Sequence, residues 1–169
     1  FLEYQMDFWI SQGVTKFILS VGYLKQTIID HFGDSYHTAS INYFVEDNPL
    51  GTGGALLFAA QGLTETFLVL NGDTFFEVNL NNLIAFHKKQ QSELTLSLFK
   101  SNQLGRYMGV DLEDNGEILS LQSGGNELTL LANGGVYLVN PSALKKLNDK
   151  PYTKSSLEND LLPKFISLG

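Results

Sequence analysis

Apolar and polar positions along this chain alternate between two periods. In "FLEYQMDFWI", Leu2, Met6, Trp9 and Ile10 return at helical spacing, which predicts an amphipathic helix from the first residues onward. "VTKFILSVGY" (14–23) is a short apolar run ending at Gly22, the signature of a buried strand. "LKQTIIDHFG" (24–33) puts Leu24, Ile28, Ile29 and Phe32 on one face and closes on glycine, predicting a helix. "INYFVED" (41–47) alternates as a strand, and "GTGGALLFAAQGL" (51–63) opens on glycines around an Ala/Leu-rich helical body. "TFLVLNGD" is a further buried strand, "LNNLIAFHKKQQ" (80–91) a helix with Leu80, Leu83, Ile84 and His87 on one side, and "ELTLSLFK" (93–100) an alternating strand. This β-α-β-α-β-α-β order predicts a three-layer α/β architecture with a parallel-rich sheet.

The later part departs from that rhythm. "MGVDLEDNGEILSLQ" (108–122) reads as two strands around an Asp114-Asn115-Gly116 turn, a hairpin signal. "NGGVYLVN" (133–140) is a strand, Pro141 starts a short helix, and "SLENDLLPKFISL" (156–168) is a helical stretch that Pro163 should break or kink. No repeat or low-complexity linker divides residues 1–169, so one domain is expected. Because Phe1 is not an initiator methionine and the first helix is already under way there, we expect a preceding segment.

With 43% hydrophobic residues over 169 positions, the chain can bury a real core. No apolar run spans a bilayer, and nothing resembles a signal peptide, so no membrane partner is expected. The absence of cysteine excludes disulfides and thiolate metal sites, with the cytoplasm as the default compartment. Residues 1–85 carry only Lys16 and Lys25 against nine acids, whereas residues 86–169 carry nine cations and nine acids. That imbalance argues against a nucleic-acid partner, and it requires any phosphate held by the first half to bring a metal ion or borrow cations. Trp9 and Tyr4 on the first helix are candidates for the core or for a homo-oligomer interface.

Three stretches can carry chemistry. "FLVLNGDTFF" (67–76) delivers Asp73 at the carboxyl end of a strand, where open α/β sheets bind ligands. Gly72 beside it allows close backbone approach, and the carboxylate suits Mg²⁺; a solvated aspartate in an Asn-Gly turn is the alternative. In "EDNPLGTGGAL" (46–56), helix-start amides can face an anion or a base edge, or the glycines can serve a tight turn. The stretch is neither a P-loop nor a dinucleotide fingerprint, since no Gly-Lys-Ser/Thr follows and Leu56 stands at the third glycine. In "LANGGVYLVNP" (131–141), Asn133 and the glycines suit sugar hydroxyls or a strand-entry turn. The histidines lack metal-ligand spacing, His87 reads as structural, and Phe75, Phe76 and Phe86 read as core.

The stretches "FILSVGYL", "E-x-x-P-L-G-T-G-G-A-L", "FLVLNGDTFFEVNL", "RY-x-x-V", "NGGVYLVNP" and "SLENDLLPK" stand in an order and spacing that resembles the sugar-1-phosphate nucleotidylyltransferases along essentially the whole chain. "NGDTFFEVNL" is most similar to the branch using GTP with heptose 1-phosphate or mannose 1-phosphate, which feeds lipopolysaccharide or capsule precursors. The resemblance implies a Rossmann-like nucleotidyltransferase fold with a mixed, mainly parallel sheet. It implies an enzyme joining a nucleoside triphosphate to a sugar 1-phosphate, with release of pyrophosphate. It makes Asp73 the catalytic, Mg²⁺-binding residue. Glu46, Pro49, Gly51, Thr52 and Gly72 become nucleotide-binding, and Tyr107, Asn133, Gly134 and Glu158 sugar-binding.

The departures are Met108 where the family has glycine after Arg-Tyr, and "LQSGGNE" where it often has Glu-Lys. The family's glycine-rich loop with its Arg and the Lys of its Lys-Pro motif lie upstream of residues like Phe1-Leu2-Glu3-Tyr4, and its second metal aspartate lies beyond the position of Gly169. We therefore expect the 169-residue chain alone to show little or no turnover in a pyrophosphate-release assay with GTP and heptose or mannose 1-phosphate. An inactive homologue acting as a nucleotide-sugar-binding or regulatory module is the alternative. A nucleotide-sugar glycosyltransferase with a strand-end aspartate fits the motif order less well.

Overall fold

The computed structural model describes residues 1–101, 107–122, 131–147 and 153–168. They fall into two compact units, Phe1–Leu63 with Asn148–Leu161, and Thr64–Leu147 with Leu162–Gly169.

The first unit runs α1 (Leu2–Ser11), β1 (Lys16–Val21), α2 (Lys25–Phe32), β2 (Ser35–Tyr36), β3 (Ala39–Val45) and α3 (Gly51–Ala59), joined by a π-helical turn at Leu157–Leu161. The helical spacing in α1 works as expected: Met6 and Trp9 are each 1% exposed. Trp9 is thus core, whereas Tyr4 lies on the exposed face. β1 and β3 pair in parallel from Lys16↔Ser40 to Val21↔Val45, with α2 as part of the crossover, and Phe17, Val21 and Ile41 are buried. The two-residue β2, which no alternation announced, adds antiparallel to β3. Leu24 departs from the pattern. It stands just before α2 with φ 58 and is exposed, so the buried face of that helix begins after it. Gly33, at φ 60, ends the helix where the glycine stop was expected.

The second unit runs β4 (Phe67–Leu70), α4 (Leu80–Gln90), β5 (Leu94–Lys100), β6 (Gly109–Leu112), β7 (Ile118–Gln122), β8 (Leu131–Val139), α5 (Pro141–Lys146) and α6 (Leu162–Leu168). Its sheet is ordered β4-β8-β6-β7, with β5 also on β8. β8 is the centre. It pairs antiparallel with β4 (Leu70↔Val136) and with β5 (Leu94↔Val139), and Val136 through Val139 are buried. β4 and β5 therefore point the same way, as a β-α-β unit requires, and each pairs with β8. The sheet is mixed, as expected. Among the described ladders, however, only β1/β3 is parallel, because β8 comes from the late part of the chain and enters the sheet in the opposite direction.

The hairpin signal at Asp114-Asn115-Gly116 does join β6 to β7, with Gly116 at φ 90 and the Asn115 side chain accepting from Glu117 N–H. Asn79 caps α4 by accepting from Asn82 N–H at 2.9 Å. Around Pro163 the chain stays helical but changes type: the π-helical turn passes directly into α6 at Leu162, one residue before the proline. Among the described residues, no helix is long and apolar enough to cross a membrane.

Glu93, just before β5, accepts from Lys146 Nζ at 2.8 Å and Ser142 Oγ at 2.9 Å. The Lys146 bond, and then the Ser142 bond, hold its carboxyl below the ordinary value of 4.5. A lowered folded value stabilises above the unfolded value, and that stabilisation is lost as pH falls through the folded one. Both side chains are more than a third exposed, so solvent screening limits the pair to about 0.2–1 kcal/mol. Lys146→Met should therefore lower the unfolding midpoint by a few degrees at most at pH 7. Thermal melts at pH 7 and pH 3 check this, with the difference shrinking as pH drops below about 4.5.

Candidate active site

In the second unit, β4 ends at Leu70 and the chain turns at Asn71-Gly72-Asp73. The turn is tied to β8, because Asn71 N–H donates to Gly135 O at 3.0 Å. A Cβ on Gly135, which has φ 72, would stand 3.1 Å from Asn71 Nδ2, so glycine is required there by both conformation and space. Two of the three stretches singled out in the sequence are thus neighbours. Asp73 is exposed, and its Oδ1 accepts from Thr74 Oγ1 at 3.1 Å. Nothing lies within 4 Å of where a Cβ on Gly72 would be.

Asn133 and Gly134 lie on β8 within the same unit. The Asn133 side chain donates to Tyr137 Oη at 2.7 Å and accepts from Gly135 N–H at 3.0 Å. Its polar ends therefore hold the glycine turn in shape. The face of Gly134 is covered by Phe76: a Cβ there would lie 2.4 Å from the ring. Phe76 packs on Phe99, and Phe99 meets Tyr107 edge-on with centroids 5.1 Å apart. Tyr107 is 38% exposed. The Phe76 ring, read in the sequence as core, is thus also the immediate neighbour of a predicted sugar-contacting glycine.

In the first unit the glycines of "PLGTGG" lie inside α3, and a backbone strap, residues 153–157, crosses them. Gly53 N–H and Gly54 N–H both donate to Ser155 O, at 2.9 and 3.3 Å, and Ser155 N–H donates to Leu50 O at 2.9 Å. Side chains on Gly51, Gly53 or Gly54 would meet strap atoms at 2.5–2.8 Å. Gly53 and Gly54 let the strap approach α3 closely, and their amides face a carbonyl of the protein. Thr52 Oγ1 accepts from Leu157 N–H at 2.8 Å and donates to Glu158 Oε2 at 3.0 Å. Two predicted residues with different assignments, Thr52 and Glu158, are therefore in direct contact. Glu46 accepts at both oxygens, from Ser20 Oγ at 2.9 Å and from Leu50 N–H at 2.8 Å, and Pro49 is exposed on the loop it closes.

Ser20 and Ser155 escaped the sequence reading. Ser20 is one polar position in an apolar strand, and Ser155 acts through its carbonyl, which leaves no side-chain signal. Ser155 Oγ is buried without a partner among the described residues. Arg106 and most of "LQSGGNE" lie outside the described residues. His87 is structural as expected: it is 5% exposed, and its ring lies 2.8 Å from Thr95 Oγ1 and 3.2 Å from Asn140 Oδ1. Since that amide oxygen only accepts, Nε2 donates to Asn140. Among the described residues, no group of three or more His, Cys, Asp or Glu side chains is arranged to hold a metal ion.

The chain is 35% identical over 175 residues to the D-glycero-alpha-D-manno-heptose 1-phosphate guanylyltransferase of Aneurinibacillus thermoaerophilus, covering 99% of this chain and 76% of that protein. It is 28% identical to the mannose-1-phosphate guanyltransferase of Schizosaccharomyces pombe, where 97% of this chain spans 47% of the relative. The fold superimposes on HddC from Yersinia pseudotuberculosis with a TM-score of 0.83 at 30% identity, covering 97% of this chain and 72% of that one. The same protein has also been solved complexed with GMP-PN, with a TM-score of 0.81. The family described as nucleotidyl transferase matches residues 1–168. On that match, and on similarity running through both units, the chain belongs to the nucleotidyl transferase family.

Proposed function

We propose that this protein transfers a guanylyl group from GTP to a sugar 1-phosphate, with D-glycero-D-manno-heptose 1-phosphate preferred over mannose 1-phosphate, in the cytoplasm. The observation that carries this reading is the 35% identity to a heptose 1-phosphate guanylyltransferase across 99% of the chain. The neighbour solved with GMP-PN supports the choice of base. Residues 1–169 act as one catalytic domain in this reading, although they fold as two compact units.

A phosphate oxygen of the sugar 1-phosphate attacks the α-phosphorus of the nucleotide. The bond to the β-phosphate oxygen breaks, and pyrophosphate leaves with the electron pair. The protein's contribution is mainly position and field. Pro49, Gly51 and Thr52 line the base, held by Glu46 and the strap. Gly72 leaves open space for nucleotide phosphate, while Tyr107, Asn133, Gly134 and Glu158 serve the sugar. Asp73 fits Mg²⁺: it is an exposed carboxylate that, among the described residues, engages one oxygen with Thr74, and such an ion needs one or two carboxylates when phosphates supply the rest. When bound, that ion offsets phosphate charge, which the acidic first half of the chain cannot do.

The test is a pyrophosphate-release screen of the protein as its gene encodes it, across GTP, ATP, UTP and dTTP with heptose, mannose and glucose 1-phosphates. The highest kcat/KM should fall on GTP with the heptose. Preference for another base or sugar would overturn that assignment. No turnover with any pair, alongside tight nucleotide-sugar binding, would make the protein a binding module.

A further inference from the structure

We propose that Ser20 is a positioning residue for the nucleotide, acting through Glu46; this deepens the function proposed above and rests on it. Ser20 is the penultimate residue of β1, and Glu46 follows the last residue of β3. The parallel register sets Val21 beside Val45, and Glu46 N–H donates to Val21 O at 2.9 Å. These bonds bring the Ser20 hydroxyl and the Glu46 carboxylate together at one end of the ladder. Glu46 Oε1 takes the Ser20 hydroxyl at 2.9 Å, and Oε2 takes Leu50 N–H at 2.8 Å. The carboxylate therefore staples both ends of a loop whose middle residues, Asp47, Asn48 and Pro49, are exposed. Leu50 N–H alone leaves the glutamate free to rotate about its own side chain. Ser20 gives the carboxylate a second anchor on β1, which restricts the loop through Pro49, while the strap holds the start of α3. Each carboxylate oxygen keeps an acceptor site, so the staple does not use up the group.

The decisive pair is Ser20→Thr, which keeps the hydroxyl, and Ser20→Val, its isostere without one; both are β-branched and suit a strand. In pyrophosphate-release kinetics on the protein as its gene encodes it, Ser20→Val should raise the KM for GTP about five- to tenfold, as for one lost hydrogen bond of ordinary net strength at an exposed site. The kcat and the KM for the sugar 1-phosphate should stay within about twofold, and Ser20→Thr should behave as the wild type. Hydrogen exchange at Leu50 N–H should accelerate in Ser20→Val only. Equal KM values for Val and Thr variants, or a loss confined to kcat, would overturn the proposal. If the wild type turns over no substrate pair, the proposed function fails instead, and unchanged Leu50 exchange in Ser20→Val would then overturn the staple by itself.

Discussion

Asp73→Asn is expected to lower kcat about a hundredfold or more in the protein as its gene encodes it, with little change in stability. The substitution keeps size and shape and removes one negative charge. Removing a group that stabilises charge at the reacting phosphates costs on the order of 10²–10³ in rate. The fold should not register the change, because the side chain is exposed and, among the described residues, it is bonded to the neighbouring Thr74 hydroxyl. Surface substitutions of this kind stay within about 0.5 kcal/mol. The measurements are pyrophosphate release as a function of Mg²⁺ concentration and a thermal melt. A drop in kcat with a shift to higher Mg²⁺ demand and an unchanged melt would place Asp73 at the metal. Wild-type turnover would remove it from that role. A matching loss of stability would make it a structural turn residue.

Gly51→Ala should be among the most destabilising single changes in the first unit. Gly51 has φ 70, a conformation that costs an alanine about 1–2 kcal/mol. The new Cβ would also stand 2.5 Å from the Ser155 carbonyl oxygen, which is backbone and cannot swing away. Overpacking of that kind adds about 1–3 kcal/mol, so a total of about 2–5 kcal/mol is expected. At this chain length each kcal/mol moves the midpoint by about 2–4 °C, giving a fall of about 4–20 °C. Gly72→Ala is the control. No atom lies within 4 Å of its Cβ position, so its melt should be unchanged within about a degree or two. If Gly72→Ala nevertheless loses turnover, its missing side chain serves the ligand. A Gly51→Ala melt equal to the wild type would show that the strap is not held against α3.

The sequence had already separated strands from helices in most of the chain, because one-sided burial imposes a period that can be counted. Met6 and Trp9 in α1, Leu83 and His87 in α4, and the Asn115-Gly116 turn all stand where local patterning puts them. It also disclosed the family, since "PLGTGG", "NGDT" and "NGGVYLVNP" are local words. What it could not disclose depends on partners far away along the chain. β8 turns the second unit's sheet antiparallel around it, and nothing in its nine residues says which neighbours it will take or in which direction. The glycines of α3 look alike whether they face a ligand or a backbone. Only the strap, a hundred residues away, shows that Gly53 and Gly54 spend their amides on Ser155 O. Glu46 reads as a group for a ligand, and only the fold shows that Ser20 and Leu50 also hold it. Periodicity is a property of one segment and its solvent, so sequence records it; hydrogen bonds between segments are chosen by the fold, and the tertiary structure alone decides them.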